Sequence, residues 1–486
     1  MMKSCLISIL VSLVSLTASW GQAKGTQVTE TDSTVTLQNS KVRVEFLKGE
    51  TFDISKLTLS GKELILSKGY NTVPWTLTYK GPQGENPVLF PSHGEYAGWS
   101  KATKDSHTAI TFRWNMRLTY KDLVPVIMTV SIPDDSELVY WDIQAGTPEG
   151  WLVSNTQFPR VTVARLNDSK LITSAGWGAE YDLSTPQVYS SSYPSVTGSM
   201  QLLLLHNSKG SVYYATQDKE ACGKDLRAAV SNKSVTLLTD VVASESWSSP
   251  MNNTFNLPWP TVIGYSNIGW QDAATKWYRP FTFTTEWGSK PLVSRNIPQW
   301  LLDTDIWIRA KGVSETVRSA VNKAIDLYGK NTFVHWYFWH HHPYDTHYPD
   351  YFPAKADFTD MIAEVQKRGC HTVPYINGRL WDPASDSYAA MNGASASCRK
   401  PDGMLYTEIY PTSKVLNTVT CPASELWHAQ HYESESFALL NQRAVELNGQ
   451  PVCSPGPASF RCPGAARNQP FGSGSLESIK RFNPVF

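Results

Sequence analysis

Residues 332–382, TFVHWYFWHHHPYDTHYPDYFPAKADFTDMIAEVQKRGCHTVPYINGRLWD, decide the fold. The apolar run 333–339 reads as a buried strand. It enters a loop crowded with His340, His341, His342, Asp345, His347 and Asp350. Asp357 then stands where a helix cap belongs, Phe358, Met361, Ile362 and Val365 share one helical face, and Gly369 ends the helix. A second apolar strand, 372–376, runs into Asn377, Arg379, Trp381 and Asp382. Two consecutive strands that end in polar, aromatic loops fit the C-terminal face of a β/α barrel, where strand ends carry function. Trp and Tyr beside Asp, Asn and Arg suit a sugar, because ring faces stack on a pyranose and paired polar groups grip its hydroxyls.

The pattern extends upstream. Residues 305–308 form a short strand, and Ser314 caps a helix in which Val317, Ala320, Val321, Ala324, Ile325 and Tyr328 share a face. Gly329 sits at its C-terminal cap. The order is βαβαβ, the signature of α/β architecture. Downstream, 385–391 reads as helical, 401–403 as a turn, 415–420 as extended, and 424–440 as a helix. From residue 441 to 486 prolines and glycines forbid long regular elements. A full barrel takes roughly 250 residues. Residues 300–440 therefore read as the first part of one, an incomplete (β/α) TIM-type barrel, followed by an irregular tail, 441–486.

Residues 24–290 are β-rich. Val42, Val44 and Phe46 alternate with Lys41, Arg43 and Glu45. Hairpins are expected around Ser60-Gly61-Lys62 and around Asn207-Ser208-Lys209-Gly210. Further strands fall at 110–118, 126–132, 138–143, 235–238 and 281–285, and 270–278 has helical spacing. Many strands joined by turns argue for a large antiparallel β-sandwich. Residues 291–299 form a linker into the α/β half.

Composition narrows the function classes. The 486 residues carry zero formal net charge, with no basic stripe for nucleic acid. The 18 Trp and 22 Tyr favour a sugar binder mildly. Lys3, a short apolar run and the small residues at 21–23 read as a cleaved signal peptide, residues 1–23. The expected location is secreted or periplasmic, with no membrane span. Cys222, Cys370, Cys398, Cys421, Cys453 and Cys462 remain after cleavage, and Cys398 with Cys421 is one pairing that an oxidising compartment permits. No zinc-ligand spacing, phosphate loop or nucleotide fingerprint occurs, so no cofactor is expected. Gly176-Trp177-Gly178 is a turn.

With those residues in view, the chain resembles the secreted bacterial proteins grouped as domain of unknown function 6259. The resemblance is carried by WYFWHHHPYDTHYPDYFPAKADF (336–358), PYINGRLWD (374–382), KPDGMLYTEIY (400–410) and CPASELWH (421–428). It implies a mutarotase-like β-sandwich ahead of a glycoside-hydrolase-like β/α barrel, related to α-galactosidase-like and α-glucosidase-like barrels. It also implies O-glycosidic bond hydrolysis by two carboxylates on later strands. Where the family pattern has an apolar strand ending in an acid, this chain reads AVELNGQP (444–451). The expectation is a barrel truncated or frame-shifted after about residue 440, with residues 441–486 a non-family tail and hydrolysis impaired.

Each candidate residue has a bland reading. Asp345 and Asp382 are weak candidates for a catalytic pair, which needs about 5 Å or about 6.5–9.5 Å between carboxyls; alternatively they hold loops. Trp339, His340, His341, Asp345, Asn377, Arg379, Trp381 and Asp382 are candidate saccharide contacts. Trp336 and Trp339, three apart on a strand, face opposite ways, and Trp339 is the expected subsite. His340 and His342, with His347 or Asp345, offer an alternative as a metal-dependent hydrolase site. His335 reads as an interior residue, and Glu408 as solvated. A non-catalytic carbohydrate-binding protein is the other alternative.

Overall fold

A computed structural model describes residues 25–49, 52–64, 73–165, 167–243, 247–249, 253–291, 294–377, 380–397, 399, 404–409 and 416–419. The signal peptide, Arg379, Cys398, Cys421, Cys453, Cys462, the turn at 401–403, the 424–440 helix and the 441–486 tail lie outside the described residues.

The first half is antiparallel throughout. Its strands form sheets of five, eleven and six members. Alternation places one face of each strand in a shared core. In His107–Arg117, Thr108, Ile110, Phe112, Trp114 and Met116 are buried while their neighbours face out. Phe46, Phe112 and Trp141 meet at ring separations of 4.8 and 5.8 Å, joining the five- and eleven-stranded sheets. Both expected hairpins form, Leu57 pairing with Leu64 and Leu205 with Val212. Gly210 turns the second at φ +142°, and a Cβ there would lie 2.4 Å from the Ser266 carbonyl oxygen, so only glycine fits.

That second hairpin, Leu202–Asn207 with Gly210–Thr216, is apolar on both faces because both are covered. Leu203, Leu205, Val212 and Tyr214 enter the main core, whereas Leu202, Leu204, Tyr213 and Ala215 meet Trp277, Tyr278 and Phe281. The covering residues lie on a helical segment, 270–282. This corrects the strand expected at 281–285: Phe281 belongs to the helix Arg279–Thr282 and packs its ring against the sheet. Gly176-Trp177-Gly178 is the expected turn.

The α/β half contains β1 (Ile306–Lys311), α1 (Glu315–Tyr328), β2 (Thr332–Tyr337), α2 (Phe358–Lys367) and β3 (His371–Pro374). The three strands are parallel, in order β1-β2-β3. Ser314 caps α1 by accepting the Val317 N–H at 3.3 Å. Asp357 precedes α2 but takes a left-handed conformation and makes no side-chain cap. Val321, Ile325, Met361, Ile362 and Val365 pack with Val334 and Trp336 of β2 in one core. Around and after Asp382 the described residues include a small antiparallel sheet, Leu416–Val419 lying between Leu380–Trp381 and Thr407–Ile409. Among the described residues the parallel strands number three, which is one βαβαβ unit and not a closed barrel.

The sandwich buries one ion pair. Lys224 Nζ lies 2.6 Å from Asp218 Oδ2, with side chains 0% and 2% exposed. The ammonium also donates to Gln201 Oε1 and the Cys222 carbonyl, and sits 4.3 Å from the Trp259 ring centroid. Removing one partner of such a pair leaves a buried charge, at about 3–5 kcal/mol. Lys224→Met should lower stability by about that amount in denaturant titration, and Lys224→Met with Asp218→Leu should cost less than either single change. Near-additive losses would show that the two charges do not depend on each other.

Candidate functional site

A strand shows its residues alternately to its two faces. Val334 and Trp336 of β2 face the helices, so Phe333, His335 and Tyr337 lie on the opposite face. Register carries the alternation across the sheet. Trp307, Phe333 and His371 are neighbours; so are Arg309, His335 and Val373; Lys311 sits beside Tyr337, and Tyr375 follows β3. This face is free of the helices α1 and α2, and its lower end is packed by the short preceding helix Gln299–Leu302, whose Trp300 stacks on Phe333 at 5.5 Å and on His371 at 4.3 Å. The upper end, where the strands finish, is more open. There Tyr337 stacks on Tyr375 at 4.5 Å with 18° between the rings, and Tyr344 lies 5.6 Å from Tyr375. The Arg309 guanidinium lies 5.4 Å from the centre of the Tyr337 ring, and the Lys311 ammonium lies 4.8 Å from that of Phe338.

β2 ends at Tyr337, two residues earlier than expected, because Phe338 adopts φ +55°. The loop then doubles back: His341 N–H donates to the Pro353 carbonyl and Lys355 N–H to the Trp339 carbonyl, both at 2.9 Å. This break changes the parity on which the Trp336/Trp339 reading rested. Trp339 is buried, stacked on Phe358 at 5.4 Å and Tyr351 at 5.7 Å, and its indole N–H donates to the Tyr375 carbonyl at 2.8 Å. It is a packing residue under α2, not an open sugar platform. Trp381 is likewise fully buried, edge-on to Tyr388 and donating to Ser387 Oγ.

The candidate acids hold the loop. Asp382 Oδ2 accepts the His347 N–H at 2.6 Å and Oδ1 accepts the Ala384 N–H at 2.8 Å. Asp345, at φ +62°, accepts the Tyr348 hydroxyl at 3.0 Å, and burial raises its carboxyl above the ordinary range despite that bond. Asp350 accepts the Ser387 N–H at the start of the helix Asp386–Ala390. Asn377 exchanges backbone hydrogen bonds with the Tyr351 hydroxyl, and its side-chain oxygen accepts the Leu380 N–H at 3.0 Å. So Asp345, Asp382 and Asn377 brace the two loops. Glu408 is half-buried on the small antiparallel sheet.

The histidines do not converge on a cation. His340 is buried among aromatic rings, His341 is exposed, and His342 stacks flat on His347 at 4.1 Å. Among the described residues no group of three or more His, Cys, Asp or Glu could hold a metal. The metal-site reading of His340 and His342 is therefore corrected. His335 is half-buried on the helix-free face, and burial, then Arg309, lowers its pKa. Arg309, Lys311, Tyr337, Tyr344 and Tyr375 escaped the sequence reading. The i, i+2 pairs 309/311 and 335/337 were the available signal, but a single strand does not say which face its helices cover.

His340 yields a pH prediction. Neither ring nitrogen finds a partner of good hydrogen-bond geometry, though the backbone of His342 slightly favours the charged form. Burial, then the Lys355 charge, pushes its pKa down from 6.5 to about 4. Between those values the unfolded chain holds a proton that the folded chain refuses, so folding stability falls as pH drops from 6.5 towards 4. His335, His342 and His371 shift the same way; Asp142, pushed up to about 6 by burial in the sandwich, acts oppositely. His340→Phe should flatten the fall of Tm across that window. Equal slopes for both proteins would contradict it.

Comparison with known proteins places this geometry. Residues 255–475 match the family described as Domain of unknown function (DUF6259). The chain is 46% identical over 392 residues to a Bacteroides thetaiotaomicron protein named "Putative glycoside hydrolase", covering 80% of this chain and 58% of that one. It is 29% identical over 323 residues to "Putative glycoside hydrolase 22789" of Monosiga brevicollis, covering 58% of this chain and 26% of that one. The chain thus spans about three fifths and about a quarter of those relatives' lengths. Among solved structures, the GalNAc complex of alpha-N-acetylgalactosaminidase NagBb from Bifidobacterium bifidum superposes with a TM-score of 0.62 at 11% identity, covering 87% of this chain and 67% of that one, a likeness of fold alone. The family match takes in the whole βαβαβ unit and runs on past residue 441.

Proposed function

We propose that this chain is a secreted carbohydrate-active protein of glycoside-hydrolase ancestry, which receives a saccharide on the helix-free face at the C-terminal end of β1–β3. The observation that carries the reading is the stacked Tyr337–Tyr375 pair with Tyr344, His335, Arg309 and Lys311 around it. Ring faces for a pyranose and donors for its substituents meet where strands end and long loops begin. The names of the relatives support the same class. On this reading the βαβαβ unit is the first part of a (β/α) barrel. Residues 1–23 direct export, which N-terminal sequencing of the mature protein would test.

Hydrolysis in this class needs one acid to protonate the leaving oxygen and another to attack or to activate water. Asp345 and Asp382 do not fit those roles, since both are engaged in fixing the loop. The engagement of both aspartates favours a second reading, in which the chain binds saccharide without cleaving it. Purified chain should release no nitrophenol from aryl glycosides above background. Tyr375→Ala should weaken retention of the chain in polysaccharide-containing native gels about fivefold or more, the loss of roughly 1 kcal/mol of ring stacking. Turnover abolished by Asp345→Asn or Asp382→Asn, with folding intact, would overturn the structural assignment of these acids.

A further inference from the structure

We propose that the sugar received on the helix-free face bears an oxyanion, carboxylate or sulfate, and that Arg309 and Lys311 receive it. The proposal rests on the carbohydrate reading above and names its substrate class.

Placement comes first. Arg309 and Lys311 are two apart on β1, so their side chains leave the same face of the strand about 7 Å apart. Both are exposed, and both lie at the end of the sheet where the loops converge.

Pairing comes second. The α/β unit matches two other arginines with acids: Arg318 pairs with Glu364, and Arg368 with Asp326. Lys355 is held by the Phe338 carbonyl. Neither Arg309 nor Lys311 makes an ion pair with an acid among the described residues. The nearby loop acids are engaged elsewhere, Asp345 by Tyr348, Asp350 by Ser387 and Asp382 by His347 and Ala384. Two positive charges thus stand on a face whose strand positions hold no acid, below loop acids already bonded to other groups.

Order comes third. The guanidinium and the ammonium lie within reach of the Tyr337 and Phe338 rings, and Tyr337 is itself stacked on Tyr375. Cation–π contact holds a charged head near a ring without neutralising it. The donor inventory decides the ligand. A neutral pyranose offers hydroxyls that both give and accept, and is best gripped by mixed Asn and Asp side chains. Arg309 and Lys311 only donate, and they carry charge, which an oxyanion answers. A carboxylate matches the planar Arg fork, and a sulfate offers three acceptor oxygens to both cations. A ring lying on Tyr337 or Tyr375 with its anionic substituent towards β1 would satisfy both sets of groups.

The test is affinity electrophoresis of the full chain in native gels holding polygalacturonate, a sulfated galactan, a neutral galactan, a neutral mannan, or polyglutamate as a non-sugar polyanion. Retardation is expected in the polygalacturonate gel, the sulfated-galactan gel, or both, and which of the two identifies the anion. Arg309→Gln and Lys311→Gln should each weaken it at least tenfold at unchanged Tm, with partial recovery in Arg309→Lys. Retardation in the neutral gels alone, or acidic-gel retardation untouched by either substitution, overturns the proposal and leaves the carbohydrate reading standing. Equal retardation by polyglutamate reduces the site to unselective charge and also overturns it. No retardation in any saccharide gel overturns this proposal and the carbohydrate reading together.

Discussion

The connection from β2 to α2, roughly twenty residues long, is far beyond the usual length for a link of this kind. Such a loop buries backbone N–H groups that must find acceptors. Here the acceptors include backbone carbonyls inside the loop, as for the His341 and Lys355 N–H groups, and side chains that bridge to the next loop. Asp382 takes the His347 N–H, Asp350 takes the Ser387 N–H, and the Tyr351 hydroxyl exchanges bonds with the Asn377 backbone. The loop after β2 is thereby tied to the loop after β3. The residues that looked most like chemistry are also the ones that hold this loop in place.

The same constraint sorts the aromatics. A parallel βαβ unit packs its helices on one face of the sheet, and large rings on that side are consumed as core. Trp336 and Trp339 pack there with Phe358, and neither is exposed. On the other face no helix of the unit supplies cover. The lower end is packed by Trp300 on Phe333 and His371, with Trp307 exposed beside them, while the upper end keeps half-buried tyrosines beside exposed cations. Ring count says little about binding here; which face a ring occupies says most.

Much of this was legible in the sequence. Both hairpins, the Ser314 cap, the Gly329 stop and the apolar face of α2 are legible from spacing, because local turn chemistry and helical period decide them; of the α1 face, Val321 and Ile325 are buried while Ala320 and Tyr328 are exposed. The misreadings have physical causes. The run 281–285 is aromatic and β-branched, which suits a strand, yet Phe281 gains more by packing on the sheet from a helix. The end of β2 was misplaced because nothing local marks Phe338 for a left-handed backbone. Trp339 and Trp381 looked like platforms because composition cannot distinguish a ring facing solvent from one under a helix. The tyrosines and cations of the open face become visible only once β1, β2 and β3 are set in register.

Binding and bond cleavage come apart in this architecture. A glycosidic bond is cut between two carboxyls held at one of two separations, so the acids must project from the substrate-facing side of the sheet. On that side β1–β3 and the residue after β3 place Trp307, Arg309, Lys311, Phe333, His335, Tyr337, His371, Val373 and Tyr375. None of these positions holds an acid. An acid set there beside Arg309 would be drawn into an ion pair with it, and the pair would neutralise both the cation and the free carboxyl. On the proposed carbohydrate reading, this face supplies rings and cations, and the acids of a hydrolase would have to come from outside these strand positions.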